Sequence, residues 1–233
     1  LYSKAVYELG RTYVQTGEIS KAEKCFNYMI NEVGDPLYVP KAYIELAMIA
    51  SNRGDYDKAL SCLTLIVEKH PVGEDTENAL AMIESIYQTR NEPEEYLAYL
   101  NRIGLSSIKD ADEREEMIFN AAERIFLSRD YSRACISLTD FIDRYPDGDR
   151  ALQACFHLAE SLSALGRKEE AADAYLKVMS ARDGAFAELA TLHYADICYG
   201  LERYPEAAAA YESLLSVARL ENNRHEALLG RMR

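Results

Sequence analysis

The chain of 233 residues has no tryptophan, only four histidines, and just 11 glycines and 6 prolines. It has no apolar run approaching the roughly 20 residues that cross a bilayer, so it is not read as membrane-spanning. Positive charge is short: 26 Lys and Arg face 39 Asp and Glu, a formal net charge of −13. A phosphate backbone needs a net basic face, which argues against a nucleic-acid partner. The five cysteines (Cys25, Cys62, Cys135, Cys155 and Cys198) form no CxxC and are odd in number, so neither a zinc or redox motif nor full pairing is supported. Each sits in an apolar helical context and reads as a small buried hydrophobe. Free thiols lean towards a reducing compartment. No GxGxxG, GxxxxGK[ST], GxSxG or HExxH occurs, so no catalytic residue and no cofactor is assigned. What remains is 48% hydrophobic and 28% charged, a balance that excludes wholesale disorder.

The chain opens Leu1-Tyr2-Ser3-Lys4 and ends Leu229-Gly230-Arg231-Met232-Arg233 within a helical pattern. Both ends read as cuts in a longer protein, so a missing leader says nothing about compartment.

Internal repetition organises the rest. A short turn, polar residues and then a small residue recur, with Ala22, Ala59, Ala134, Ala171 and Ala207 as the ruler and Tyr96 in the same slot of a poorer copy. The steps are 37, 37, 38, 37 and 36 residues. Each unit reads as two helices. The first stops at Gly17, Gly54, Asn91, Arg129, Gly166 or Glu202. The second carries the ruler residue and a larger one four places on, as in Ala22/Phe26 and Ala171/Tyr175. Proline closes two units, at His70-Pro71 and Tyr145-Pro146, and Pro205 opens a second helix. Antiparallel helices that approach closely need small side chains at the crossing. The pairs Ala47/Ala59, Ala122/Ala134, Ala159/Ala171 and Ala195/Ala207, each twelve apart, meet that need. One hairpin cannot bury its apolar face alone; a stack of hairpins can. The third unit departs most, with Glu84 and Tyr96 at the crossing and a long connection over 103–112, and predicts a distortion or hinge there.

Gly10-x-x-Tyr13…Gly17…Ala22…Phe26 and Ala47…Ala50…Gly54…Ala59…Leu63…Pro71 resemble the tetratricopeptide repeat, whose usual period is 34. The resemblance implies an all-α fold, a right-handed α–α superhelix. It assigns residues 1–233 to one solenoid, with units near 3–36, 40–72, 77–104, 112–148, 149–184 and 187–220 and a partial unit at 223–233. Phe141-Ile-Asp-Arg-Tyr-Pro146-Asp-Gly148…Phe156-His-Leu-Ala159 is also similar to bacterial cell-envelope repeat proteins of the outer-membrane-assembly and Tol–Pal-associated types. That likeness implies a periplasmic setting, with the cytoplasm as the alternative that the cysteines favour.

The resemblance further implies that first helices line a concave, partner-binding face. About 100° round from the packing residues of each first helix lie Phe119, Glu123 and Phe126, then Phe156, Glu160 and Ser163, then Leu192, Asp196 and Tyr199. Apolar residues beside carboxylates predict a groove for a protein or peptide with basic and apolar side chains; the bland alternative is a solvated acidic face. The first two units present Tyr7, Arg11, Ile44, Met48, Ser51 and Asn52 instead. The Lys/Asn clamp of chaperone-binding relatives is not matched by Tyr7, Arg11, Glu45, Asn78 and Met82. His157-x-x-Glu160 and His193-x-x-Asp196 repeat in register and offer four metal ligands if they converge; surface histidines bonded to acids are the plainer expectation. The 17 tyrosines read as core and groove lining rather than a nucleotide-stacking surface.

The sequence therefore predicts a non-enzymatic scaffold. The alternatives are a structural subunit associating through the array ends, with dimerisation through Ala227, Leu228 and Leu229, or a metal-binding or regulatory module of a larger protein.

Overall fold

The structure is a computed structural model and describes residues 1–69, 73–181 and 186–232. The expected chain break at His70-Pro71 and the end of the 149–184 unit lie outside the described residues. Among the described residues the chain is all-α. Its contacts divide it into two compact units, Leu1–Tyr99 and Leu100–Arg233, where the sequence predicts one array with a distortion or a hinge over 103–112.

In the first unit, α1 (Tyr2–Gln15) packs on α2 (Ile19–Tyr28), α3 (Val39–Asn52) on α4 (Tyr56–Lys69), and α5 (Glu74–Arg90) on both α3 and α4. A π-helical turn, Met29–Val33, extends α2. Helix α6 (Pro93–Arg102) runs across the division. In the second unit α7 (Ala111–Leu127) pairs with α8 (Tyr131–Arg144), α9 (Ala151–Ala164) with α10 (Lys168–Ser180), and α11 (Ala187–Gly200) with α12 (Tyr204–Val217); α13 (Glu221–Met232) packs on α11 and α12. Within each unit successive hairpins pack on one another, α2 on α3 and α4 on α5 in the first, α8 on α9 and α10 on α11 in the second.

The turns explain the spacing. Gly17, Gly54, Asn91, Arg129, Gly166 and Glu202 all adopt φ between 60° and 77°. These are the six residues at which the sequence pattern ends the first helices. At Gly17 the N–H bonds Val14 O at 3.1 Å and the next N–H, of Glu18, bonds Tyr13 O at 2.8 Å. This left-handed ending satisfies carbonyls that a helix terminus would otherwise leave open, and it reverses the chain within three residues. Pro40 and Pro205 stand in the first turns of α3 and α12, where a missing N–H costs nothing. Asp110 and Glu113 form a reciprocal capping box at the start of α7.

All eight alanines of the four predicted crossings are buried, at 2% exposure or less. Gly10 goes further: a Cβ there would stand 2.6 Å from Cε1 of the Phe26 ring. Gly230 meets the ring of Tyr211 in the same way. Burial of Phe26, Leu63, Leu138, Phe141 and Tyr175 supplies the adhesion, about 2 kcal/mol for each large apolar side chain. At the irregular crossing the large residue is accommodated by a polar bond, with buried Tyr96 donating to Glu84 Oε2 at 3.2 Å.

Candidate partner-binding site

The first helices of the second unit, α7, α9 and α11, carry the predicted row. Glu123, Glu160 and Asp196 stand 37 and 36 residues apart, so each holds the same place on its helix. Each carboxylate is held through one oxygen. Glu123 Oε1 accepts from Gln153 Nε2 at 2.9 Å and from His157 Nε2 at 3.2 Å. Glu160 Oε1 accepts from the Tyr175 hydroxyl and pairs with His193 Nδ1 at 2.9 Å. Asp196 Oδ1 accepts from the Tyr211 hydroxyl at 2.6 Å. Among the described residues no hydrogen bond reaches Oε2 of Glu123, Oε2 of Glu160 or Oδ2 of Asp196. The row thus consists of carboxylates each held through one oxygen, with the other making no hydrogen bond among the described residues. Asp196 is exposed; Glu123 and Glu160 are half-buried.

The electrostatics follow from these bonds. The hydrogen bond from His193 holds the Glu160 carboxyl below its ordinary value, aided by the Tyr175 hydroxyl against the opposing effect of burial. The same bond raises His193 above its ordinary value. Burial, then Glu160, pushes the Tyr175 phenol well up, so it stays a donor.

The apolar members of the row are less open than the sequence suggests. Phe119 is 1% exposed and packs on Phe141 at 5.4 Å between centroids. Phe156 is buried and stacks on Phe186 at 4.9 Å. These rings fill space between neighbouring helices, a use the helical stripe alone could not distinguish from groove lining. Phe126 is half-buried and stacks on His157 at 4.3 Å. Leu192 and Tyr199 are half-buried, and Tyr199 lies edge-on to Tyr204.

The metal candidates separate. His157 meets Glu123 rather than Glu160, and His193 meets Glu160 rather than Asp196 as its bonded partner. Each histidine reaches back to the acid of the preceding first helix, because stacking brings residues about 34 apart closer than their i, i+3 neighbours. The four groups do not form one set, and among the described residues no cluster of three or more His, Cys, Asp or Glu could hold a metal ion. All five cysteines are free and burial pushes every thiol up. No described helix is long and apolar enough to cross a membrane.

The first unit presents a different lining. Tyr7 donates to Glu45 at 3.1 Å, and Arg11 Nε lies 3.4 Å from the same carboxylate. Met48 and Asn52 are exposed and, with Ser51, Tyr56, Met82 and Ser85, border an uncharged cleft of about 270 Å³ between α3 and α5.

Gln153, Tyr175, Tyr211 and Phe186 take part in the site although the sequence does not single them out for it. A signal existed. In two units tyrosine follows the ruler alanine by four and an acid stands fifteen residues before it (Glu160/Tyr175, Asp196/Tyr211); Phe26 and Leu63 instead follow Arg11 and Met48, and Leu138 follows Glu123.

No curated protein matches the chain. Among solved structures, the type IV pilus biogenesis factor PilW is 17% identical over 97% of this chain and 98% of its own, with a TM-score of 0.42. The TPR2AB domain of yeast Sti1, in complex with pHSP90, is 15% identical over 99% and 97%, with a TM-score of 0.41. A tetratricopeptide repeat protein from Parabacteroides merdae is 16% identical over 99% of both chains, with a TM-score of 0.39. Likeness at that level does not bear on what this chain binds. The tetratricopeptide repeat family model matches residues 3–27, 40–68 and 152–183. Two of the matched stretches lie in the first unit and one in the second, and each coincides with a helical hairpin, so these segments are similar to tetratricopeptide repeats.

Proposed function

We propose that this chain is a non-enzymatic protein-binding scaffold whose first-helix face in the second unit takes an extended segment rich in basic and apolar side chains. The observation that carries the reading is the row Glu123, Glu160 and Asp196, each with one oxygen tied down and the other without a hydrogen bond among the described residues. A pre-fixed carboxylate loses little side-chain freedom when it pairs with Lys or Arg, so more of the pairing energy reaches the complex. Phe126, Leu192 and Tyr199 offer half-buried apolar surface between the charges. In the first unit, Met48 and Asn52 border the uncharged cleft, while Tyr7 and Arg11 are tied to Glu45, and this face would receive an apolar segment in its own right. The envelope resemblance of the Tyr145-Pro146-Asp147-Gly148 stretch extends the proposal to a bacterial cell-envelope setting.

The test is fluorescence anisotropy with a labelled peptide of alternating Arg and Phe, interrupted by proline so that it stays extended. Asp196→Lys places a cation in the row at an exposed position and weakens binding about tenfold or more, while melting shows the fold intact. Equal affinity for the wild type and the variant would remove the proposal.

A further inference from the structure

The second helices carry a separate surface that the first-helix reading does not use. Between α8 and α10, over α9, runs a cleft of about 780 Å³. On α8 its lining residues recur from Ser132 to Asp143 at helical spacing, a stripe about 16 Å long. Its floor is apolar: Ile136 is 72% exposed, Leu165 is 41% exposed and Leu158 is half-buried. Its rims are acidic, with Asp140 and Asp143 from α8 facing Glu170 and Asp173 from α10. Two bases, Arg167 and Lys177, also border it, and Arg167, which caps α10, is tied to Glu170 in the first turn of that helix. Asp143 and Asp173 enter no ion pair among the described residues.

The repeat supplies an internal reference for judging this surface. At the place of Ile136, two after the ruler residue, the other units have Lys24, Ser61, Ala98, Asp173 and Ala209. At the place of Leu165, before the left-handed turn residue, they have Thr16, Arg53, Arg90, Ser128 and Leu201. The frame therefore does not require a large apolar residue at Ile136, and at Leu165 only one other unit has one. Both sit on the same cleft. A lone exposed aliphatic is ordinary; two that meet over a half-buried leucine between acidic rims form a surface with a definite chemistry.

We infer that this cleft docks an amphipathic helix from a protein partner, its apolar stripe on Ile136, Leu158 and Leu165 and its Lys or Arg residues toward Asp140, Asp143 and Asp173. The stripe admits about three turns of such a helix. The geometry is a helix laid into a groove between two helices, with charge fixing its register.

The probe is a fluorescein-labelled amphipathic peptide of leucine and lysine, about four turns long, read by anisotropy. The wild type binds it saturably. Ile136→Glu, and separately Asp140→Lys with Asp143→Lys, each weaken it tenfold or more. These positions are exposed, so melting temperatures stay near wild type and report folding directly. Asp112→Lys with Glu116→Lys makes the same charge change on exposed positions away from the cleft and shifts affinity by less than about twofold. Absence of saturable binding overturns the inference. So does equal weakening by the Asp112/Glu116 pair, which would mean diffuse attraction to an acidic protein. Weakening by Asp196→Lys alone would place the peptide on the first helices and overturn the cleft while leaving the proposed function standing.

Discussion

The two units build the same hairpin and clothe it differently. In the first unit the row on the first helices reads Arg11, Met48, Ser85; in the second, at the same repeat spacing, it reads Glu123, Glu160, Asp196. Beneath those rows the frame hardly changes: small residues at every crossing but Glu84/Tyr96, and left-handed turns at Gly17, Gly54, Asn91, Arg129, Gly166 and Glu202. Positions that must bury or reverse the chain are constrained by packing, whereas an outward position is free to take whatever chemistry a partner demands. The proposed function rests on the difference between the rows, and perturbing frame and face separately tests that division.

The largest effect is expected in the frame. Gly10→Ala drives a methyl into the Phe26 ring, and Gly230→Ala does the same to Tyr211. Each should cost about 1–3 kcal/mol, because a buried ring has no room to yield. Urea denaturation measures both; near-neutral results would mean that the close approach is not built into the frame of both units.

Next is the support beneath the face. Tyr175→Phe and Tyr211→Phe delete the hydroxyls that hold Glu160 and Asp196. About 1 kcal/mol of stability should go with each, and peptide affinity on the first-helix face should fall with it. Loss of stability without loss of affinity would reduce these bonds to structural roles.

A smaller gain is expected at the turns. Arg129 and Glu202 adopt φ of 63° and 61°, where a side chain costs about 1–2 kcal/mol and glycine recovers most of it, less the extra freedom of the unfolded chain. Arg129→Gly and Glu202→Gly should each stabilise by roughly 0.5–1 kcal/mol in thermal melts.

The smallest effect is pH-dependent. His193 is raised from its ordinary 6.5, so its contribution is complete below that value and is lost as pH rises through the folded pKa. Glu160 is lowered from 4.5, so its contribution is present above that value and is lost as pH falls through the folded pKa. The pair therefore adds most between pH 4.5 and 6.5. The stability difference between wild type and His193→Gln should peak in that window and shrink on either side; a flat difference would contradict the pairing.

Much of the frame was legible in the sequence because a repeat displays its own constraints. A turn that needs left-handed backbone shows itself as Gly17, Gly54 and Gly166 at one offset, and Asn91, Arg129 and Glu202 could then be read by position although their side chains disfavour it. The register of Glu123, Glu160 and Asp196 was legible for the same reason. What each face residue touches was not. His157 and His193 point to the acid of the preceding first helix because stacking distance, unlike helical spacing, leaves no mark within one unit. Phe119 turned inward because the ring gains more from Phe141 than from solvent, and a stripe drawn at i, i+4, i+7 cannot show which edge lies in the core. Tyr96 at a crossing read as a defect, yet Glu84 takes its hydroxyl.

The most direct measurement follows the imidazole resonances of His193 by NMR through a pH titration, with and without the extended Arg/Phe peptide. If a guanidinium pairs with Oε2 of Glu160, part of the negative charge that raises His193 is neutralised and its pKa falls on binding. A saturating peptide that leaves the His193 titration unchanged would show that the carboxylate row is not where the partner lies.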